Sequence, residues 1–181
     1  MGNEIVDACC MINLYSAVDD LGPLLRAIGS RFHVPRTVAE EALYVLRPHE
    51  EDAHRTVQER IDLSPLIEAQ LLRICDLQSV QENALYVRFA ADLDDGEAAC
   101  LAIAQSRGWR VATDDRKAQR LATESGIAVV ATPELIRRWC DAEGFGGAKI
   151  GEVLRRIRDY ARFVPRRGSV LADWWMDRLG E

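Results

Sequence analysis

Residues 109 to 132, "WRVATDDRKAQRLATESGIAVVAT", restrict the fold of this chain more than any other stretch. "WRVAT" and "IAVVA" are short apolar runs with strand character, and "DRKAQRLATESG" between them has helical composition and closes on glycine. Two strands joined by a helix-length connection lie parallel, with the helix crossing one face of the sheet in the right-handed sense. The pattern recurs upstream. "EIVDACC" reads as a buried strand followed by a helix over "MINLYSAV", and "LGPLLRAIG" as a second helix closed by Gly29. "RFHVP" is the next strand, with Pro35 opening a helix over "RTVAEEALYVL". Residues 47–64 are polar and carry no clear period. Ser64, as N-cap, and Pro65 then restart a helix, followed by a strand over "RICDL" and helices over "SVQENALYVRFAADL" and "DDGEAACLAIAQSRG". Thr132-Pro133 begins another helix, and residues 148–181 read as two helices packed on the outside. The expected class is α/β, with a parallel sheet flanked by helices.

At 181 residues, 48% apolar and 29% charged, the chain has the makeup of one globular domain. The N-terminal stretch lacks the pattern of a signal peptide, and no apolar run is long enough to cross a bilayer, so a cytoplasmic location is expected. Five cysteines (Cys9, Cys10, Cys75, Cys100, Cys140) contain no C-x-x-C pair and sit in apolar stretches; they are expected to be core thiols, not zinc ligands. The net charge of -6 is unevenly placed. Residues 1–136 carry 13 basic and 22 acidic side chains, residues 137–181 carry 10 and 7.

In an open parallel sheet, ligands gather beyond the carboxyl ends of the strands. Those ends are acidic here: Asp7 after the first strand, Asp114 and Asp115 after "WRVAT". Helical spacing puts Glu41 on the apolar stripe of "RTVAEEALYVL" and Glu97 at the start of the stripe of "DDGEAACLAIA", so both are expected to point inward. Each acid also has a plain structural reading. Asp94 and Glu97 fit a capping box, Asp114 or Asp115 an N-cap, and Glu41 a surface charge. Convergence of four segments favours a shared site of hard oxygen donors suited to Mg²⁺ or Mn²⁺, and hence phosphodiester hydrolysis.

The segments "VDACCMINLYSA", "VPRTVAEEAL", "LDDGEAACLAIA" and "VATDDRKAQRLATESGIAVVAT", in that order, resemble those of PIN-domain proteins. The resemblance implies a three-layer α/β/α sandwich with a central parallel sheet, here as a nuclease domain over residues 1–147 with a C-terminal helical extension over 148–181 packed on it. It also implies a Mg²⁺- or Mn²⁺-dependent ribonuclease, the toxin of a toxin-antitoxin pair among the options, with RNA as substrate and an antitoxin protein and a second copy of the chain as partners. Metal-site roles carry over to Asp7, Glu41, Glu97 and Asp115, with Asp115 preferred because the family pattern there reads Thr, any residue, Asp. Asp114 becomes a neighbour that reaches metal through water, Thr113 a hydrogen-bonding support and Asn13 a weaker support. Glu97 stands where many members have Asp. The 34 residues after "GFGG" exceed a compact toxin.

The tail segment "KIGEVLRRIRDYARFVPRR" holds seven basic residues in 19, and Arg155, Arg158 and Arg162 are expected on one helical face, for an RNA backbone, an acidic partner or solvent. Other features are discounted. "HEEDAH" has its histidines five apart, not four as a zinc-protease helix needs, and is expected to be an exposed linker. His33 is expected to be a satisfied, partly buried residue, and Trp174 and Trp175 to anchor the last helix. There is neither an EF-hand loop nor a P-loop. The alternative function is a non-catalytic PIN-like module binding RNA or protein, against which the intact acid set argues. A phosphatase would want an Asp-x-Asp arrangement, whereas Ala8 and Cys9 follow Asp7.

Overall fold

The structure, a computed structural model, describes residues 2–49 and 52–180. Strand β1 (Asn3–Val6) stops just before Asp7, and Ala8–Ala17 forms helix α1, so Cys9 and Cys10 open a helix instead of closing the strand. The Asp7 carboxylate causes this break, because its Oδ1 accepts from Cys10 N at 2.8 Å, three residues on, as an N-cap does. Helix α2 (Leu21–Ile28) and strand β2 (Arg31–Pro35) follow. Helix α3 (Arg36–Glu40) is shorter than the helix expected over 36–46. Glu41 is already extended (φ -64°, ψ 148°), and the chain enters strand β3 (Tyr44–His49), paired antiparallel with strand β4 (Asp52–Arg60). Leu43 and Val45 are buried on either side of exposed Tyr44, the alternation of a strand, and this outweighs the helical spacing. The polar stretch is therefore largely a hairpin. In "HEEDAH", His49 ends β3 and residues 52–54 begin β4, while Glu50 and Glu51 lie outside the described residues.

Helix α4 (Ser64–Glu68) is preceded by Leu63 in the cap position, so Ser64 lies inside the first turn beside Pro65 and is not the expected cap. Strand β5 (Leu72–Cys75) leads to helix α5 (Val80–Ala90), capped by Ser79, whose Oγ accepts from Glu82 N at 3.0 Å. Helix α6 (Asp95–Arg107) ends at Gly108, whose φ of +65° is a conformation that glycine adopts without strain. Strand β6 (Arg110–Ala112), helix α7 (Arg116–Glu124), strand β7 (Val129–Val130) and helix α8 (Thr132–Glu143) complete the alternation. Helix α9 (Gly147–Arg156) runs into a π-helical turn (Ile157–Ala161), and helix α10 (Ala172–Leu179) ends the chain. No described helix is long and apolar enough to cross a membrane.

Two compact units interleave in sequence: Met1–Met11, Gly29–Glu41 and Leu63–Thr132 form the first, Ile12–Ile28, Ala42–Asp62 and Pro133–Glu181 the second. The first holds a five-stranded sheet in the order β5-β2-β1-β6-β7, with every pairing parallel. From central β1 the chain steps outward to β2 and β5, then returns to β6 and β7 on the other side. Right-handed crossovers running in opposite directions leave their helices on opposite faces, which is the α/β/α arrangement. One face of the sheet offers Ile5 and Val111 to an apolar core built with Phe89, Leu101, Ile103 and Ala118 of α5, α6 and α7. Glu4, buried near the start of β1, is ion-paired with Arg110 and accepts from Ser30 Oγ at 3.2 Å. That pairing offsets the cost of its burial.

In the second unit Trp175 is fully buried, with Phe163 edge-on at 5.7 Å; Trp174 is half-buried, its ring under the Arg137 guanidinium at 5.6 Å. Arg47 fastens the hairpin, donating to Tyr15 O (3.3 Å) and Val18 O (3.2 Å) and lying over the Tyr15 ring. The tail arginines do not share a regular helical face. Arg155 is on α9, Arg158 is in the π turn and pairs with Asp159 at 2.8 Å, and Arg162 ends the turn with φ +56°. A π turn takes more residues than 3.6, so the three- and four-residue spacing loses its meaning there.

Candidate metal centre

The acids that matter lie where β1 and β6 end. Asp7 N donates to Ala112 O at 3.0 Å, so β1 stays laddered to β6 up to the residue where the chain turns into α1. Asp7 is 2% exposed. Besides Cys10 N, its carboxylate accepts from the Thr113 hydroxyl and from Cys9 Sγ, which lies 3.1 Å from both oxygens. Thr113, itself buried, also accepts from Asp115 N at 3.2 Å, and so it links the two aspartates at adjacent strand ends.

Two further helices start at the same edge. Asp94 caps α6, accepting from Glu97 N at 2.8 Å, which brings Glu97 into the first turn. Asp115 caps α7: its Oδ1 accepts from Lys117 N and Ala118 N, both at 2.8 Å. The capping and metal-site readings of these residues are therefore compatible, since one carboxylate oxygen can hold the helix while the other faces outward. Helix N-termini also carry partial positive charge, which lowers the cost of concentrating acids there.

Glu97 has Asp94, Asp115 and Asp7 as its principal charged neighbours, and burial together with these acids pushes its carboxyl up to about 7. Burial likewise raises Asp7 to about 6, against the opposing hydrogen bonds from Thr113, Cys10 N and Cys9, with Asp114 adding a smaller push. Glu41 is exposed at the end of α3, not inward on a helix as the spacing suggested. It is nonetheless raised by burial of part of its carboxyl and by Asp94 and Asp95. Its Oε1 closes against α6 where Gly96 leaves room: a Cβ there would lie 2.9 Å from it and from Val38 Cγ2. The structure thus brings Asp7 and Asp115 each within electrostatic reach of Glu97, with Glu41 at the flank of the same helix start.

Asp114 is turned elsewhere. Its Oδ1 accepts from Thr132 N at 3.0 Å, and its Oδ2 from the Thr132 hydroxyl and from Cys10 Sγ at 3.1 Å, so it braces the start of α8. Asn13 is buried in the second unit, where its carbonyl accepts from Ser16 Oγ at 2.7 Å. His33 is buried against Trp109 (ring centroids 4.1 Å apart) and pairs with Asn3 at 3.2 Å; burial, with Arg73, Arg107 and Arg31, lowers it to about 4. It is neutral at physiological pH and satisfied, as expected from the sequence.

The donor chemistry fits a hard divalent cation, because the charges acting most on Asp7 and Glu97 are acidic and a cation would relieve both. The four acids are not drawn into contact, however. Among the described residues, the only group of three or more metal-type donors within 4.8 Å of one another is Asp7 with the thiols of Cys9 and Cys10. The expectation of core thiols holds for fully buried Cys10 and not for half-buried Cys9, and sequence reasoning missed the place of both beside Asp7 by assigning them to the strand. The signal was available in their spacing, since an N-cap aspartate three residues before Cys10 places both cysteines in the first turn over the site.

No curated protein and no solved structure matches the chain. A family profile described as the PIN domain does, over residues 4–167, a span that includes every acid above as well as α9 and the π turn. With the parallel sheet and the acids at its carboxyl edge, this match shows that the chain belongs to the PIN-domain family, whose fold is of the nuclease type.

Proposed function

We propose that this protein is a Mg²⁺- or Mn²⁺-dependent endoribonuclease, with Asp7, Glu41, Glu97 and Asp115 holding the metal. The observation that carries the reading is the pair of carboxyls at Asp7 and Glu97, raised by burial and by neighbouring acids without a dominant basic partner. A bound divalent cation would supply charge neutralisation at the phosphate and activation of a water. The chain's own residues do the positioning. Thr113 orients Asp7 by donating to its carboxylate and sets the backbone of Asp115, while Asp94 fixes the turn that carries Glu97. Phosphate approaches a wall that is negative until a cation arrives, so binding of RNA and of metal is coupled. By family analogy the products carry 5′-phosphate and 3′-hydroxyl ends, and a toxin role would bring an antitoxin partner.

An RNA panel incubated with Mn²⁺, and again with EDTA, tests this. Cleavage that EDTA stops and Glu97→Gln abolishes supports the reading; metal-independent cleavage, or none with any metal, defeats it. A second reading, a module that binds RNA or protein without cutting, is favoured by the separation of the four acids. It requires that titration calorimetry show no Mn²⁺ uptake dependent on Asp7. Co-purification with the product of the adjoining gene tests the toxin role separately.

A further inference from the structure

We infer that Asp7, Cys9 and Cys10 form a site for a thiophilic divalent cation, Zn²⁺ in the first instance, which overlaps the hard-ion set of Glu41, Glu97 and Asp115 at Asp7 alone. Three donors of suitable type converge within 4.8 Å: a carboxylate oxygen and two thiol sulfurs. Cys9 Sγ is 3.1 Å from each Asp7 oxygen. With Zn–S bonds of about 2.3 Å and Zn–O bonds of about 2.1 Å, neighbouring ligand atoms of a tetrahedral site lie roughly 3.4–3.8 Å apart. The donors therefore need to move by about an ångström or less to enclose an ion. The scaffold is fixed, because Asp7 is tied to Cys10 N at 2.8 Å and both cysteines sit in the first turn of α1.

The other cysteines do not compete. Cys75, Cys100 and Cys140 are buried and stand outside the group. Cys9 is part-exposed and offers the way in, while Cys10 lies behind it. The fourth position falls to water, since Asp114 Oδ2, 3.1 Å from Cys10 Sγ, is engaged by Thr132. Each thiol that coordinates releases one proton to solvent. Mg²⁺ does not use these sulfurs, because thiolate is a soft ligand and Mg²⁺ a hard ion. Binding of the thiophilic ion is independent of the nuclease reading. One consequence rests on that reading: an ion seated here takes Asp7 from the hard cation and inhibits.

The test titrates the full chain, freshly reduced and freed of reductant, with Cd²⁺, whose bonds to thiolate give an ultraviolet charge-transfer band. The expected result is a band that saturates near one equivalent and is displaced by a large excess of Zn²⁺. Cys9→Ser and Cys10→Ser each weaken or abolish it, and Cys75→Ser leaves it intact. Because Cys10 is fully buried, thermal melts without metal check that its variant folds, and part-exposed Cys9 supplies the decisive variant if it does not. Absence of the band in the wild type, or a band unchanged by Cys9→Ser, overturns the inference. A failed nuclease assay leaves this readout untouched, so the two proposals fail separately.

Discussion

Asp7→Asn, which in an active nuclease would remove activity, is expected to make the metal-free protein more stable. Asp7 is nearly fully buried and its carboxyl is raised from 3.8 to about 6. A raised folded value means that the native state holds its proton where the unfolded chain has lost it. Stability from this group is therefore present at low pH and drains away as pH climbs from about 4 to about 6. At ~1.4 kcal/mol per pH unit, the ionised form costs the fold about 3 kcal/mol once pH exceeds both values. Asparagine keeps the acceptor that Cys10 N and Thr113 need but carries no charge, so about 3 kcal/mol is the upper limit of its gain at pH 8. For a chain of this length that corresponds to a rise in Tm of roughly 6–12 °C. The measurement is a pair of melts in EDTA, wild type against Asp7→Asn, at pH 4.5 and at pH 8. The gap at pH 4.5 should be about a third of that at pH 8, and saturating Mn²⁺ should raise wild type alone. An equal gap at both pH values, or a less stable variant at pH 8, would refute the argument that burial of this charge dominates its energetics.

Three other outcomes follow from the same geometry. Affinity for Mn²⁺, measured by calorimetry, should rise with pH through about 6 and 7 and then level off, because a protonated Asp7 or Glu97 cannot ligate; Glu97→Gln should remove the upper inflection. Gly96→Ala places a Cβ 2.9 Å from fully buried Val38 Cγ2 and from Glu41 Oε1, so urea denaturation should report a loss of about 1–3 kcal/mol, with Mn²⁺ binding weakened as Glu41 is pushed aside. Asp114→Ala removes the carboxylate that accepts from the hydroxyl and backbone N–H of buried Thr132, and should cost about 1–3 kcal/mol in the same assay.

The parallel sheet was legible because its strands are short apolar runs separated by glycine, proline and helix-length segments, and local composition decides such cases. The hairpin was hidden for the opposite reason. "DAHRTVQER" has only Ala53 and Val57 as apolar residues, so β4 has no two-residue period to detect, and its pairing with β3 is a tertiary fact. The early end of α3 was equally hidden, since Val38, Glu41 and Val45 keep helical spacing even though Val45 is buried as part of a strand. At the site, residue types exposed the acids but could not divide their labour. Nothing in the adjacent pair Asp114 and Asp115 says that one braces Thr132 while the other starts α7.

The helix-starting aspartates bear on descent. Asp7, Asp94 and Asp115 each hold a backbone N–H that would otherwise lack a partner, so selection for folding alone would preserve them in a lineage that had abandoned chemistry. The Glu97 carboxylate returns the Asp94 bond by accepting from Asp94 N, the reciprocal half of a capping box, so folding preserves it as well. Among the described residues of the proposed metal set, Glu41 is the acid whose carboxylate holds no helix start; a degenerate cousin would shed it first, and its presence here says more about a working centre than the capping acids together.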